Sequence, residues 1–192
     1  MEALLTYISE RTSLSTKSIE YTKSISKEKK FKKGDQLITE GQCVEKTFFV
    51  KNGCIRAYVF DKNGKEHTLQ FAVKNQWISD YIAIFNNDKS TQVVECVTES
   101  SVIEISLADG IENIFLRYPD LEILHRKNLQ RHVVSLQKRI LNQLQLTSLE
   151  RYSLFQSMYP DIEKYALNYH IASYLGITQQ SLSRLRSEML KN

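Results

Sequence analysis

Hydrophobic positions change period twice along the chain. Between residues 31 and 106, short apolar or alternating runs recur at Gln36–Thr39, Thr47–Val50, Cys54–Phe60, His67–Phe71, Gln92–Val97 and Ser101–Ile105. Gly34-Asp35, Glu40-Gly41, Asn52-Gly53 and Asp61-Lys62-Asn63-Gly64 separate them, and Asn-Gly between strands favours a tight hairpin. Short strands at this spacing predict an antiparallel sandwich or barrel. Cys54–Phe60 alternates least cleanly, with Ile55, Ala57 and Val59 as its core candidates. Residues 1–30 read as short helical segments. They lead into a basic run, Lys27, Lys29, Lys30, Lys32 and Lys33, expected on a solvated surface.

From Ser106 onward the period becomes helical. Leu107–Arg117 predicts a short helix ending before Tyr118-Pro119-Asp120. A second helix is predicted from Asp120 to Leu146, without Gly or Pro. Its Leu129, Val133, Leu136, Ile140 and Leu144 step by four, three, four and four, close to a heptad seam. Leu121, Leu124, His125 and His132 extend that stripe toward the N-terminus. A helix of this length outruns one small domain, so pairing with a second copy is expected. Thr147 or Ser148 then caps a further helix, which Tyr159-Pro160-Asp161 breaks.

The most specific pattern is Asn168–Arg186. Ala172 is small where two helices would cross, and Gly176 supplies the positive φ of a turn. Ile171, Leu175, Ile177, Leu182 and Leu185 are spaced to join the helices. Thr178 would cap the second helix, leaving Gln179, Gln180, Ser183 and Arg184 on an exposed face that can read base edges. Within this helix-turn-helix, Gln179, Gln180 and Arg184 are expected on bases, and Thr178, Ser181 and Arg186 on phosphates. Charge supports the assignment. Residues 125–192 carry 10 Lys and Arg against 4 Asp and Glu, whereas residues 1–124 carry 16 against 18. The basic excess therefore accompanies the candidate reading helix, as a phosphate-facing module requires.

Composition narrows the alternatives. No apolar run is long enough to span a membrane, and MEALLTYISERTSLS has no signal-like apolar core. Cys43, Cys54 and Cys96 form no CxxC pattern, which fits reduced thiols in a cytoplasmic protein and no Cys-bound metal. A cupin-like enzyme would need two or three His with a carboxylate on facing strands, and the strand region offers only His67. Ser-His-Asp, Gly-rich phosphate-loop and HExxH motifs are absent, so no enzyme, cofactor or metal site is expected.

Strands, long helix and terminal helix-turn-helix, in that order, resemble the bacterial family of the cyclic-AMP receptor protein and the fumarate–nitrate regulator (Crp/Fnr). The resemblance covers roughly residues 20–192. It rests on Lys33-Gly34-Asp35, Glu40-Gly41, the run Phe48–Arg56 with Asn52-Gly53 inside it, the Asp61–Glu66 turn, Val102–Ser106 and Ile171–Arg186. It implies an α+β protein with three parts. These are a cyclic-nucleotide-binding-like β-barrel or jelly roll at 1–119, a dimerisation helix at 120–146 and a helix-turn-helix domain at 147–192. It also implies a homodimeric transcription regulator that binds double-stranded DNA at an inverted repeat and works with RNA polymerase.

The departures from the family pattern concern the effector. Nucleotide-binding members carry a Gly-Glu pair for the ribose and an Arg-Ser or Arg-Thr pair for the phosphate. Here those positions align with Asp80-Tyr81 and Ser90-Thr91. The bidentate guanidinium is missing, Asp80 would repel a phosphate, and Lys89 offers only a point charge on a flexible stem. Cyclic-AMP control is therefore not expected. An effector, where there is one, is expected at Asp80, Tyr81, Ser90 and Thr91, with Ser135 as a lid from the long helix. Iron–sulfur sensing lacks its N-terminal cysteines, and His67 is a poor haem ligand on an alternating strand. The segment Tyr159–Asn168 is too short for the family's β-hairpin wing. The competing reading is a ligand- or cyclic-nucleotide-binding module whose C-terminal helices bind protein instead of DNA.

Overall fold

The computed structural model describes residues 1–189; positions 190–192 of the expected C-terminal domain lie outside the described residues. Helices α1 (Glu2–Ser9) and α2 (Thr16–Ser24) precede eight strands: β1 (Ser26–Phe31), β2 (Gln36–Ile38), β3 (Lys46–Asn52), β4 (Ile55–Phe60), β5 (Glu66–Ala72), β6 (Trp77–Ile78), β7 (Val93–Cys96) and β8 (Ser100–Ser106). Helix α3 (Tyr81–Asn86) interrupts them after β6. The strands form two antiparallel four-stranded sheets, ordered β1-β8-β3-β6 and β2-β7-β4-β5. This is an antiparallel sandwich, as the strand spacing predicts, in the jelly-roll arrangement that the family resemblance implies.

Between the sheets lie Ile38, Phe48, Val50, Ile55, Ala57, Ile78, Val94 and Val102. Both outer faces are also covered. Phe49 and Ile103 pack against Leu4, Tyr7 and Ile8 of α1, and Cys54, Phe71 and Val97 pack against the C-terminal helices. A strand buried on both faces loses its alternation, which is why β4 reads poorly as a period-two pattern. Gly53 joins β3 to β4 at φ +95°, where a Cβ would stand 2.3 Å from Ser100 Oγ. Only glycine fits that crossing.

One correction concerns the basic run. The run is solvated as expected, but it is not helical: Lys27, Lys29 and Lys30 belong to strand β1, which pairs with β8 from Ser26↔Ile105 to Phe31↔Ser100. β1 is an edge strand, and charged side chains on an edge suppress pairing with other chains. Its lysines stay in solvent or reach carboxylates, as Lys29 reaches Glu104 at 3.1 Å.

Helix α4 (Ile111–Arg117) leads to α5 (Pro119–Gln145), which spans 27 residues with Pro119 in its first turn. The single stripe expected on α5 divides in two. Leu121 and Leu124 are buried toward the barrel side, whereas Val133, Leu136, Ile140 and Leu144 are 50%, 41%, 58% and 78% exposed. Thr147 closes a capping box with Glu150 and starts α6 (Ser148–Met158). After a 3-10 turn at Ile162–Lys164 come α7 (Asn168–Leu175) and α8 (Gln179–Met189). No strand occupies the segment between α6 and α7.

Candidate effector and nucleic-acid sites

The effector residues do not form one open site. Asp80 is fully buried and begins α3, its carboxylate accepting the Ala83 N–H at 3.1 Å. Its other oxygen accepts the Ser90 hydroxyl at 2.8 Å. Ser90 Oγ also accepts the Gln92 N–H at 3.1 Å, and Ser90's backbone is bonded to Gly41 and Gln42. Asp80 and Ser90 thus satisfy each other where the resemblance places ribose and phosphate. Thr91 is exposed beside them.

Tyr81 and Ser135 lie elsewhere, lining a cleft of about 300 Å³ between β5, β6 and α5. The cleft also presents Gln70, Trp77, His132 and Arg139. His132 faces Tyr81 with ring centroids 5.4 Å apart, and His125 is enclosed by Phe85, Phe115 and Tyr81. Burial lowers both imidazoles, His125 to about 4. The histidines thus belong to the contact with their own barrel. Cys54 and Cys96 are buried and their thiols pushed up to about 12 and about 11, away from thiolate chemistry; Cys43 is exposed. His67 bonds Asp61 at 2.9 Å in the β4–β5 hairpin. Among the described residues no cluster of His, Cys, Asp and Glu could hold a metal ion.

The C-terminal helix pair has the local geometry its residues imply. Gly176 adopts φ +69°, with its N–H on the Ser173 carbonyl and the Ile177 N–H on that of Ala172. These two bonds are a Schellman stop. Thr178 Oγ1 accepts the Ser181 N–H at 3.1 Å and lies 2.9 Å from the Ser181 hydroxyl, so these residues cap α8. Leu182 is fully buried against Ile171, Ala172 and Leu175. Thr178, Gln179, Gln180, Ser183 and Arg184 are exposed on the opposite side. Arg186 is different. Its guanidinium donates to Asn168 at 2.7 Å, to Glu163 at 3.0 Å and to the Tyr152 hydroxyl at 3.2 Å. Within the chain, the donors of this residue, a phosphate contact by spacing, tie α8 to α6, the 3-10 turn and the start of α7.

Sequence reasoning missed the seat of α7 on the barrel. β5 is an edge strand, and Ser173 Oγ meets that edge by accepting the Thr68 N–H at 2.8 Å and donating to the Glu66 carbonyl at 3.1 Å. Arg56, 1% exposed, lies beside α7 and pairs with Glu66 at 2.6 Å and Glu95 at 3.3 Å. Its guanidinium stacks 4.0 Å from the Tyr58 ring. His170 is 3% exposed next to this cluster. An Arg within a strand was the one available signal, and nothing local says what covers it.

Residues 28–118 match the family model of the cyclic nucleotide-binding domain. No curated protein matches the chain. Solved structures do. The c-di-GMP responsive global regulator Clp of Xanthomonas campestris shares 14% identity at TM-score 0.68, covering 92% of both chains. FixK2 of Bradyrhizobium japonicum shares 16% at TM-score 0.69, over 87% of this chain and 85% of that one. A CooA mutant from Carboxydothermus hydrogenoformans shares 18% at TM-score 0.65, over 88% and 78%. At such low identity, likeness over most of both chains is a likeness of fold. Residues 28–118 thus match a cyclic nucleotide-binding domain, and the chain as a whole shares the fold of these solved regulators.

Proposed function

We propose that the chain is a homodimeric DNA-binding transcription regulator that does not respond to cyclic AMP. The α7–Gly176–α8 pair carries the reading. Its apolar side is buried, its turn is the tight left-handed stop, and Gln179, Gln180, Ser183 and Arg184 stand in solvent on one helix. Side chains of this kind on a second helix reach base edges in a major groove. Thr178 and Ser181 lie at the N-terminus of α8, where backbone N–H groups favour phosphate. The exposed Val133–Leu144 stripe supports parallel pairing of two α5 helices. The division is therefore functional: an effector-type barrel at 1–119, a dimer helix at 120–146 and a reading head at 147–192.

Independence from cyclic AMP is supported by the Asp80–Ser90 bond, which closes the phosphate position without a guanidinium. An effector has room instead in the Tyr81–Ser135 cleft. Selection of sites from a random duplex library tests the reading. An enriched inverted repeat with half-sites about 34 Å apart, bound with a steep salt dependence, is the expected result. Enrichment of no sequence, with no salt-dependent duplex binding, would favour the alternative of C-terminal helices that bind protein.

A further inference from the structure

The seat of α7 contains a polar group that its bonds leave out. Both ring nitrogens of His170 are buried and lack a hydrogen-bond partner. Tyr169 closes one side, with ring centroids 4.1 Å apart. The charged groups facing this pocket come from four elements. Arg56 comes from β4, Glu66 from β5, Glu95 from β7, and Lys33 from the turn between β1 and β2. Both carboxylates are engaged by Arg56. Neither bonds the imidazole, while Arg56 and Lys33 oppose a further positive charge. We propose that His170 is an acid-sensitive latch: protonation of its imidazole releases α7 from the β5 edge, freeing the helix pair from the barrel.

The direction follows from linkage. In the seated state burial, then Arg56 and Lys33, holds the imidazole down to about 4. Once released into solvent it returns to the ordinary value near 6.5. Below that value the released state binds a proton that the seated state refuses, so acidification favours release. Between about pH 7.5 and about pH 5.5 the release equilibrium rises roughly tenfold. The bonds lost are those of Ser173 to the β5 edge. Ser173 is also the gauge, because the Thr68 N–H that it accepts points away from the rest of the sheet. The regulatory consequence rests on the proposed DNA-binding function; the latch itself does not.

Amide hydrogen exchange on the whole protein without DNA tests it, so failure of the DNA-binding reading leaves the result intact. Protection of the Thr68 amide, corrected for intrinsic exchange, should fall about tenfold from pH 7.5 to 5.5 in the wild type. The amides of Val94 and Ile103, inside the sheets, report global opening and serve as the reference. His170→Gln, neutral throughout, should abolish the Thr68 response while keeping protection at neutral pH. An NMR titration of the wild-type His170 ring is independent of any variant's folding and should show a midpoint well below 6.5. An unchanged Thr68 protection in the wild type, a response that persists in His170→Gln, or a ring midpoint at or above the ordinary value would each overturn the latch.

Discussion

Ser90 gives its hydroxyl hydrogen to the buried carboxylate of Asp80 at 2.8 Å, joining the start of α3 to the segment before β7. An internal bond therefore stands where the family resemblance places a nucleotide's ribose and phosphate. Calorimetry with cyclic AMP or cyclic GMP at millimolar concentration should give no saturable heat. Saturable binding below about 10 μM would show that backbone amides or Lys89 replace the missing guanidinium. Ser90→Ala should instead cost stability, roughly 1–3 kcal/mol, because it leaves a buried carboxylate oxygen without its donor. Urea unfolding measures it.

The two arginines of α8 should separate cleanly. Arg184 is exposed, and it makes no side-chain hydrogen bond among the described residues. Arg184→Ala should lower affinity for the selected site by about 1–3 kcal/mol and leave the melting temperature unchanged. Arg186 bonds Glu163, Asn168 and Tyr152. Arg186→Ala should lower the melting temperature by loosening α8 from α6, with any loss of binding following from that. Equal thermal stability of the two variants would return Arg186 to the phosphate role.

The exposed stripe on α5 predicts a variant that folds but does not pair. Glu at Val133 and Ile140, which are 50% and 58% exposed in the single chain, would bury like charges at a two-fold seam. Sedimentation of Val133→Glu/Ile140→Glu should show monomer, with barrel circular dichroism retained and operator affinity lost. A wild-type protein that is monomeric at micromolar concentration would refute the pairing.

Acid should destabilise the folded chain through His125 as well as His170. Burial among Phe85, Phe115 and Tyr81 holds His125 at about 4, below its unfolded value near 6.5. The unfolded state thus takes up the extra proton. Stability is full above about 6.5 and falls as pH drops toward 4, by about 1.4 kcal/mol at pH 5.5 for this group. His125→Leu should flatten that part of the pH profile of unfolding free energy. A wild-type profile level from pH 7 to 5 would refute the neutral, buried assignment.

What could be read without the fold is what depends on near neighbours. The Gly176 turn, the cap at Thr147 or Ser148 and the Thr178 cap each involve residues a few positions apart, so spacing alone announces them. The strands between turn glycines and the uninterrupted α5 were legible for the same reason. Distant contacts decided the rest. Strand β1 depends on β8, more than sixty residues on in the chain, and its lysines hide any alternation. The stripe on α5 divides because one side meets α1 and α4 while the other stays largely exposed among the described residues. Arg186 had the spacing of a phosphate contact, yet Glu163 and Tyr152 are brought to it by the 3-10 turn and α6. His170 and Ser173 look like ordinary helix residues until β5 offers an unpaired edge. A buried polar group takes its role from the partner it meets, and that partner is chosen by the packing of the whole chain.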